Sequence, residues 1–512
     1  MLISCKEEKK DSKTLFQKLD PSATHINFSN NLSYDSKFNI YTYRNFYNGG
    51  GVAIGDINND GLPDIFFTAN MLPNRLFLNK GNMQFEDITD KAGIGKKGKW
   101  STGVSMADVN GDGLLDIYVC NSGDIKGDDR QNELYINNGI SQSPAGSGHT
   151  EVSFTEKAHE YGLDDKGLST HAAFFDYDHD GDLDMYLLNN SFKAIGSFNL
   201  QKNERSIRDS LGGDKLYRND GDHFTDVSEQ AGIFGSTIGF GLGVTVGDVN
   251  KDGWQDIYVS NDFFERDYLY INQHNGKFKE VLEDEMMSIS NASMGADMAD
   301  INNDANPDIF VTEMLPEDEG RIKTNTTFEN WDKYQLDLKY DYYHQFTRNM
   351  LQLNNGNNSF SEIGRLAGVS ATDWSWGAII TDLNNDGFKD IFIANGIYQD
   401  LTNEDYIQYI SNEQFFQEVT SGKGEYKKLI DLIPSHAISN YAFSNNGDLT
   451  FSNKAQEWGL DEPGFSNGSA YGDLDNDGDL DLVVNNVNMP CFIYRNESIQ
   501  QHPENKFLKV SL

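Results

Sequence analysis

Along this chain, short apolar runs and turn residues alternate in one order that repeats. A strand of small residues comes first: GGGVAIGD (49–56), STGVSMAD (101–108), GLGVTVGD (241–248), SNGSAYGD (466–473). After a polar turn follows a run that is apolar at consecutive positions: DIFFTAN, DIYVCN, DMYLLNN, DIYVSN, DIFVTE, DIFIAN, DLVVNN. A third strand reads x-L-[YF]-x-N in NRLFLN, NELYIN, DKLYRN and DYLYIN, and more loosely in NMLQLN, NYAFSN and CFIYRN. An Asn/Gly turn then leads to a fourth strand opening on Phe, as in FEDIT, FTDVS and FSEIG, and several units close with an AGI-like turn. Each unit is therefore a four-stranded antiparallel meander. An antiparallel sheet with one wet face alternates polar and apolar residues, whereas the second strand is apolar on both faces. Each sheet is thus sandwiched between neighbours, as in a propeller.

The polar turn repeats most faithfully. It reads D-x-[DN]-x-D-G-x-x-D, with oxygen-bearing side chains at positions one, three, five and nine and a backbone carbonyl sufficient at position seven. Six to eight oxygens suit Ca²⁺, and glycine gives the sharp turn that folds them round one point. The expected ligand sets are Asp56, Asn58, Asp60, Leu62, Asp64; Asp108, Asn110, Asp112, Leu114, Asp116; and Asp176, Asp178, Asp180, Asp182, Asp184. They continue with Asp248, Asn250, Asp252, Trp254, Asp256; Asp300, Asn302, Asp304, Asn306, Asp308; Asp382, Asn384, Asp386, Phe388, Asp390; and Asp473, Asp475, Asp477, Asp479, Asp481. An EF-hand needs glutamate at position twelve and flanking helices. Position twelve here is Phe67, Val119, Leu187, Val259, Val311, Ile393 or Val484, so that reading fails. Up to seven Ca²⁺ are expected, loop five being the weakest or empty because Ala305 replaces glycine.

Seven units imply an all-β, seven-bladed β-propeller spanning 23–500. Its closure is expected from His25–Ser29, an orphan fourth strand that would complete blade seven, which lacks its own. Three insertions, at 191–213, 313–347 and 396–438, all follow a second strand and so fall on the face opposite the acidic loops. Thr402 and Asp405 form a capping-box-like pair ahead of Tyr406, Tyr409 and Ile410, predicting a short helix there. Loops on a rigid scaffold concentrate binding residues. That face, with Trp100, His171, Phe240, Trp374, Trp376 and Phe465 from the turns between units, is the expected site for a glycan or protein ligand.

Composition changes the picture in three ways. The 512-residue chain has a formal charge of -39, which argues against nucleic-acid partners. Three cysteines give no disulfide framework, and Cys120 and Cys491 read as buried thiols. Met1–Cys5 looks like the end of a lipobox followed by a polar tether over 1–22. A lipidated Cys5 is thus the one expected membrane attachment, with the protein at the extracellular or outer-membrane surface and its leader clipped. No transmembrane run occurs.

These repeats resemble the FG-GAP or VCBS-type family, which includes integrin α-subunit propellers, and more closely the cartilage-acidic-protein (ASPIC/UnbV) type with its bacterial surface lipoproteins. The resemblance covers roughly Thr24 to Asn496. It implies that the loop carboxylates and amides bind Ca²⁺, and it is silent on activity. Residues 501–512 look like the start of a further domain, cut short. The leading expectation is a calcium-stabilised surface binding, adhesion or scaffold module. The alternative is a polysaccharide lyase using tyrosine, histidine and arginine from Tyr340–Arg348. Motifs for metalloprotease, serine hydrolase, P-loop and C-x-x-C chemistry are absent.

Overall fold

The computed structural model describes residues 14–95, 98–123, 129–142, 150–193, 201–325, 330–411 and 426–507. Seven four-stranded antiparallel sheets follow one another along the chain. Blade one is representative. Val52–Gly55 pairs with Asp64–Phe67, which pairs with Arg75–Asn79, which pairs with Phe85–Asp87. The innermost strands touch their neighbours all the way round, and that of blade seven (Ser466–Gly472) touches that of blade one, so the ring is closed.

The apolar character of both faces of the second strand is explained by where its side chains go. Phe66 packs with Val104, Ile117 and Val119 of blade two, while Ile65 and Phe67 pack with Val483 and Ile493 of blade seven. Each of the seven blade interfaces encloses its own cluster of this kind. Cys120 and Cys491 are buried free thiols within this framework.

Closure is achieved by an N-terminal strand, but not by His25–Ser29. Phe16–Lys18 pairs antiparallel with Phe492–Asn496, placing Phe16 opposite Asn496. Every other blade has the same pairing of a fourth-strand Phe with the last Asn of strand three, such as Phe85 with Asn79 and Phe224 with Asn219. Part of the segment expected as a free tether therefore belongs to the ring. The AGI-like turns are single-turn helices, Thr89–Ala92 for example, ending on a glycine in the left-handed region (Gly93, φ 80°). After Phe16–Lys18 the same device is Pro21–Thr24, capped by His25 at φ 62°. A histidine where the repeat has glycine, one residue later than usual, hides the pattern. His25–Ser29 is the chain leaving that helix, with Ile26 and Phe28 buried between blades seven and one. At the other terminus, 505–507 form no strand and 508–512 lie outside the described residues, as does Cys5.

Candidate functional sites on the two faces

The seven acidic loops lie on one face and share a backbone frame. The first Asp accepts from the N–H of position six in six loops, from Asp56 with Gly61 (2.7 Å) to Asp382 with Gly387 (2.8 Å). In loop five Ala305 makes the same bond (2.7 Å) at φ 64°, where the six glycines sit at 84–99°. An alanine can hold the turn, but in a region disfavoured by its Cβ.

The ninth Asp is completely buried in all seven loops. One oxygen accepts from the N–H of position two, as Asp64 does from Ile57 (3.0 Å), and the other from the backbone of the last Asn in strand three, as from Asn79 (2.7 Å). Burial pushes these carboxyls up, Asp64 to about 7 and Asp184 and Asp390 to about 8.

The residues fit a hard cation most plainly in the two loops with aspartate at position three. Oxygens of Asp176, Asp178 and Asp184 all lie within 4.8 Å of one another, as do those of Asp473, Asp475 and Asp477. Asp176 Oδ1, Asp178 Oδ1, Asp182 Oδ1 and Asp475 Oδ1 are buried without a hydrogen-bond partner. Carboxylates that converge, several of them with a buried oxygen lacking any donor, suit a divalent cation. In the other five loops the position-three amide turns its Nδ2 toward the position-five carboxylate, as Asn58 does toward Asp60 (3.0 Å), and its Oδ1 accepts from the backbone there (3.0 Å). These amide oxygens are thus not gathered with the carboxylates.

The sequence reading missed the asparagine that ends strand three. In every blade its Nδ2 donates to the position-two carbonyl of the preceding blade's loop, at 2.8–3.0 Å: Asn79 to Leu474, Asn137 to Ile57, Asn219 to Val109, Asn272 to Tyr177, Asn354 to Val249, Asn445 to Ile301 and Asn496 to Leu383. The signal was present in x-L-[YF]-x-N, whose final Asn occurs in all seven copies. Position four adds a second set of links. Asn59 donates to Gly113 O (2.9 Å), Asn303 to Gly387 O (3.0 Å) and Asn476 to Gly61 O (2.7 Å), while His179 stacks on Trp254 of the next loop at 3.9 Å.

The opposite face carries the described parts of the insertions, and they form a roof. Residues 29–48 cross the ring, burying Tyr43, Phe46 and Tyr47 against Trp100, Trp374, Trp376, Tyr406 and Ile430. Tyr34 bonds Asp431, Tyr41 bonds Tyr406 and Tyr47 bonds Gln399. Phe465 packs on Tyr398 (5.1 Å) and Phe240 on Phe263 (4.9 Å), so the turn aromatics mostly anchor the roof. His171 sits instead in the axial cavity, at a position that is glycine in the other six blades. The expected helix is Glu404–Ile410, but Asn403 caps it by accepting from Tyr406 N–H (3.0 Å), whereas Thr402 bonds Asp400.

The Tyr340–Arg348 stretch does not converge on one point. Tyr343 donates to Met286 O (2.6 Å), His344 Nδ1 pairs with Tyr334 Oη (2.6 Å), and Arg348 pairs with Glu362 (3.0 Å). Each group is held by a partner inside the fold.

A closed ring of seven four-stranded blades with an acidic loop between the first two strands of each defines a repeat β-propeller of the acidic-loop class. FG-GAP-like repeats match residues 56–119, 206–259, 248–311 and 341–393, and together with the seven-bladed ring they support an FG-GAP β-propeller. Among similar proteins, cartilage acidic protein 1 of Xenopus tropicalis is 42% identical over 78 residues, 15% of this chain and 12% of that protein. Human cartilage acidic protein 1 is 40% identical over 76 residues (15% and 12%), and human integrin alpha-6 is 38% identical over 92 residues (15% and 8%). The chain thus spans only about a tenth of the length of the curated relatives it matches. Among solved structures, a lectin from Agrocybe aegerita, described for recognition of non-reducing terminal N-acetylglucosamine, overlays at a TM-score of 0.40 with 15% identity, over 81% of this chain and 82% of that one. The fold is consistent with a binding or adhesion module. Among the described residues no helix is long and apolar enough to cross a membrane.

Proposed function

We propose that this protein is a calcium-stabilised binding or adhesion module of the cell surface, gripping its ligand on the roofed face while the acidic loops hold Ca²⁺ on the other. The observation that carries the metal assignment is the set of buried, unpartnered carboxylate oxygens at Asp176, Asp178 and Asp182. The loop residues named from the sequence would hold the ions, with the five asparagine amides turning their oxygens inward. Ca²⁺ supplies the counter-charge that lets buried carboxylates lie side by side. The lipid anchor on Cys5 belongs to the same reading.

Binding rather than catalysis is supported by the roof, where insertions from two blades and the 29–48 segment supply a varied surface on a rigid ring. The test has two arms. Metal analysis after dialysis against Ca²⁺ should find several ions per chain, and a metal-free preparation that takes up none on recalcification refutes the metal assignment. Pull-down from a glycan and protein library should be lost when the roof is altered and kept when an exposed position on the acidic-loop face is altered. The reverse pattern refutes the choice of face.

A further inference from the structure

The roof is not closed everywhere. Between the 40–45 segment, the ends of the second strands of blades two and three, and the helix Glu404–Ile410 lies an opening of about 640 Å³. That is the size of a small-molecule site. In a chain of charge -39, Arg44, Arg130 and Lys193 line it, and no Asp or Glu does among the described residues. Carboxylates stand behind the cations instead. Lys193 pairs with Glu204, and Asp262 lies near Arg44.

The arginines are backed by aromatic rings, Arg130 over Phe192 (4.8 Å) and Arg44 over Phe263 (5.2 Å). Such stacking fixes the Arg44 guanidinium plane without using up its outer N–H groups, whereas Arg130 is already engaged, its Nε donating to Lys166 O (3.2 Å). Tyr41 and Phe192 are about two-fifths exposed, at 41% and 40%, and offer apolar surface at the rim.

The floor holds the most telling group. Asn190 is completely buried, yet neither its Nδ2 nor its Oδ1 has a hydrogen-bond partner. Its counterpart in blade one, Asn70, is fully engaged, donating to Gly49 O (2.8 Å) and Ser101 O (2.9 Å) and accepting from Asn30 (2.7 Å). A buried amide left unpaired is costly. Asn190 lines the cavity, and a ligand there could supply both the missing donor and the missing acceptor.

We propose that this pocket binds a carboxylate-bearing sugar, a uronic acid unit of an acidic polysaccharide. One pyranose ring presents adjacent hydroxyls to the Asn190 amide, an apolar face to Phe192 or Tyr41, and a carboxylate to Arg44. An acidic peptide side chain presents the carboxylate at the end of a flexible stem and brings no paired hydroxyls with it. The assignment rests on the reading that the roofed face is the binding face.

The test is calorimetry on the calcium-loaded full chain with a glucuronate-containing tetrasaccharide, its carboxyl-reduced counterpart and tetra-aspartate. The acidic sugar should bind at least ~10-fold more tightly than the reduced one, a difference of about 1.4 kcal/mol. Arg44→Gln and Phe192→Ala, both at exposed positions, should each weaken it about 10-fold with the melting temperature unchanged. Only Phe192→Ala should weaken the reduced sugar. Equal binding of the two sugars, indifference to both variants, absence of sugar binding, or preference for tetra-aspartate overturns the proposal. A ligand that survives both variants but is lost in Tyr409→Ala or Trp331→Ala leaves the roofed face as the binding face and removes only the pocket. Binding insensitive to all four variants removes both.

Discussion

On the acidic-loop face seven asparagines make one bond seven times, each tying its blade to the loop before it. On the roofed face the ties are individual: Arg205 with Glu265 and Asp341, Arg321 with Asp373 and Asp400, Asn203 with the carbonyls of Tyr340 and Asp341. The first face is a repeated solution to one problem, that of packing carboxylates together at the end of a blade. The second is a set of singular contacts added to a frame that already stands. Stability should therefore reside in the regular face and ligand choice in the irregular one.

The largest effect that could break this division is metal removal. With all seven loops loaded as proposed, each site at ten times Kd would contribute about 1.4 kcal/mol, roughly 10 kcal/mol in sum and comparable to the net stability of a whole domain. EDTA should lower the melting temperature steeply and Ca²⁺ should restore it. An unchanged calorimetric trace from protein proven metal-free would move the stability elsewhere. Next in size is the asparagine ring. Asn219→Ala removes a buried side chain bonded to Val109 O and Leu183 O and leaves those carbonyls unpaired, at a cost of about 2–4 kcal/mol in urea unfolding. A loss below about 0.5 kcal/mol, the level of an ordinary surface change, would make the repeated bond ornamental.

The start of strand three sharpens the comparison, because there the repeat itself varies. Asn74, Asn132, Asn349 and Asn440 accept a backbone N–H from the end of the second strand or just past it, whereas blades three and four use Asp214 and Asp267. Asp267 accepts from Tyr258 (2.6 Å) and Ser293 (2.9 Å), where Asn132 bonds the equivalent Tyr118 and Ser169 (2.9 Å each). Burial pushes the Asp267 carboxyl up to about 7. The folded chain then keeps a proton that the unfolded chain releases near pH 4, so stability falls as pH rises from roughly 4 to 7 and stays reduced above that. Asp267→Asn should stabilise the protein by about 1–3 kcal/mol at pH 8 and make little difference at pH 4. A gain that is the same at both pH values would refute the titration.

Smaller still is Ala305→Gly, which relieves a left-handed alanine but loosens the unfolded chain. The net gain should be at most about 1 kcal/mol, with tighter Ca²⁺ uptake by loop five. A fall in melting temperature would show that the turn holds no strain. The smallest change expected is from Trp331→Ala on the roof. With the side chain 69% exposed, it should move stability by less than about 0.5 kcal/mol.

The regular face was almost wholly legible in the sequence, for a physical reason. A blade interface must present the same shape to its neighbour seven times, so Asp64 and its six equivalents, and Phe66 between two blades, recur in register. The closing strand was hidden because Phe16 lies at the far end of the chain and its cap is His25 instead of glycine. The roof was legible only as insertions. Nothing periodic announces that Tyr43 will bury against Trp100, since that contact joins segments with no repeat relation. Asn190 is invisible by the same logic, because only the folded contacts distinguish it from Asn70.

The closing strand also decides how the ring meets mechanical load. Phe16 lies opposite Asn496 and Lys18 opposite Tyr494, so the chain enters and leaves the disc at the same end of that pair. Tension between the two chain ends therefore peels the pair open from Phe16 inward, bond by bond, instead of shearing its bonds in parallel. Two further bonds, Glu497 N–H to Leu15 O (2.8 Å) and Gln501 Nε2 to Thr14 O (2.8 Å), are the first to part. The remaining six blades are each continuous in sequence and are not in the line of force. Blade seven is thus a seam: under pull the ring opens there first, and because its three C-terminal strands stay paired, slackening lets a three-residue strand snap back into place.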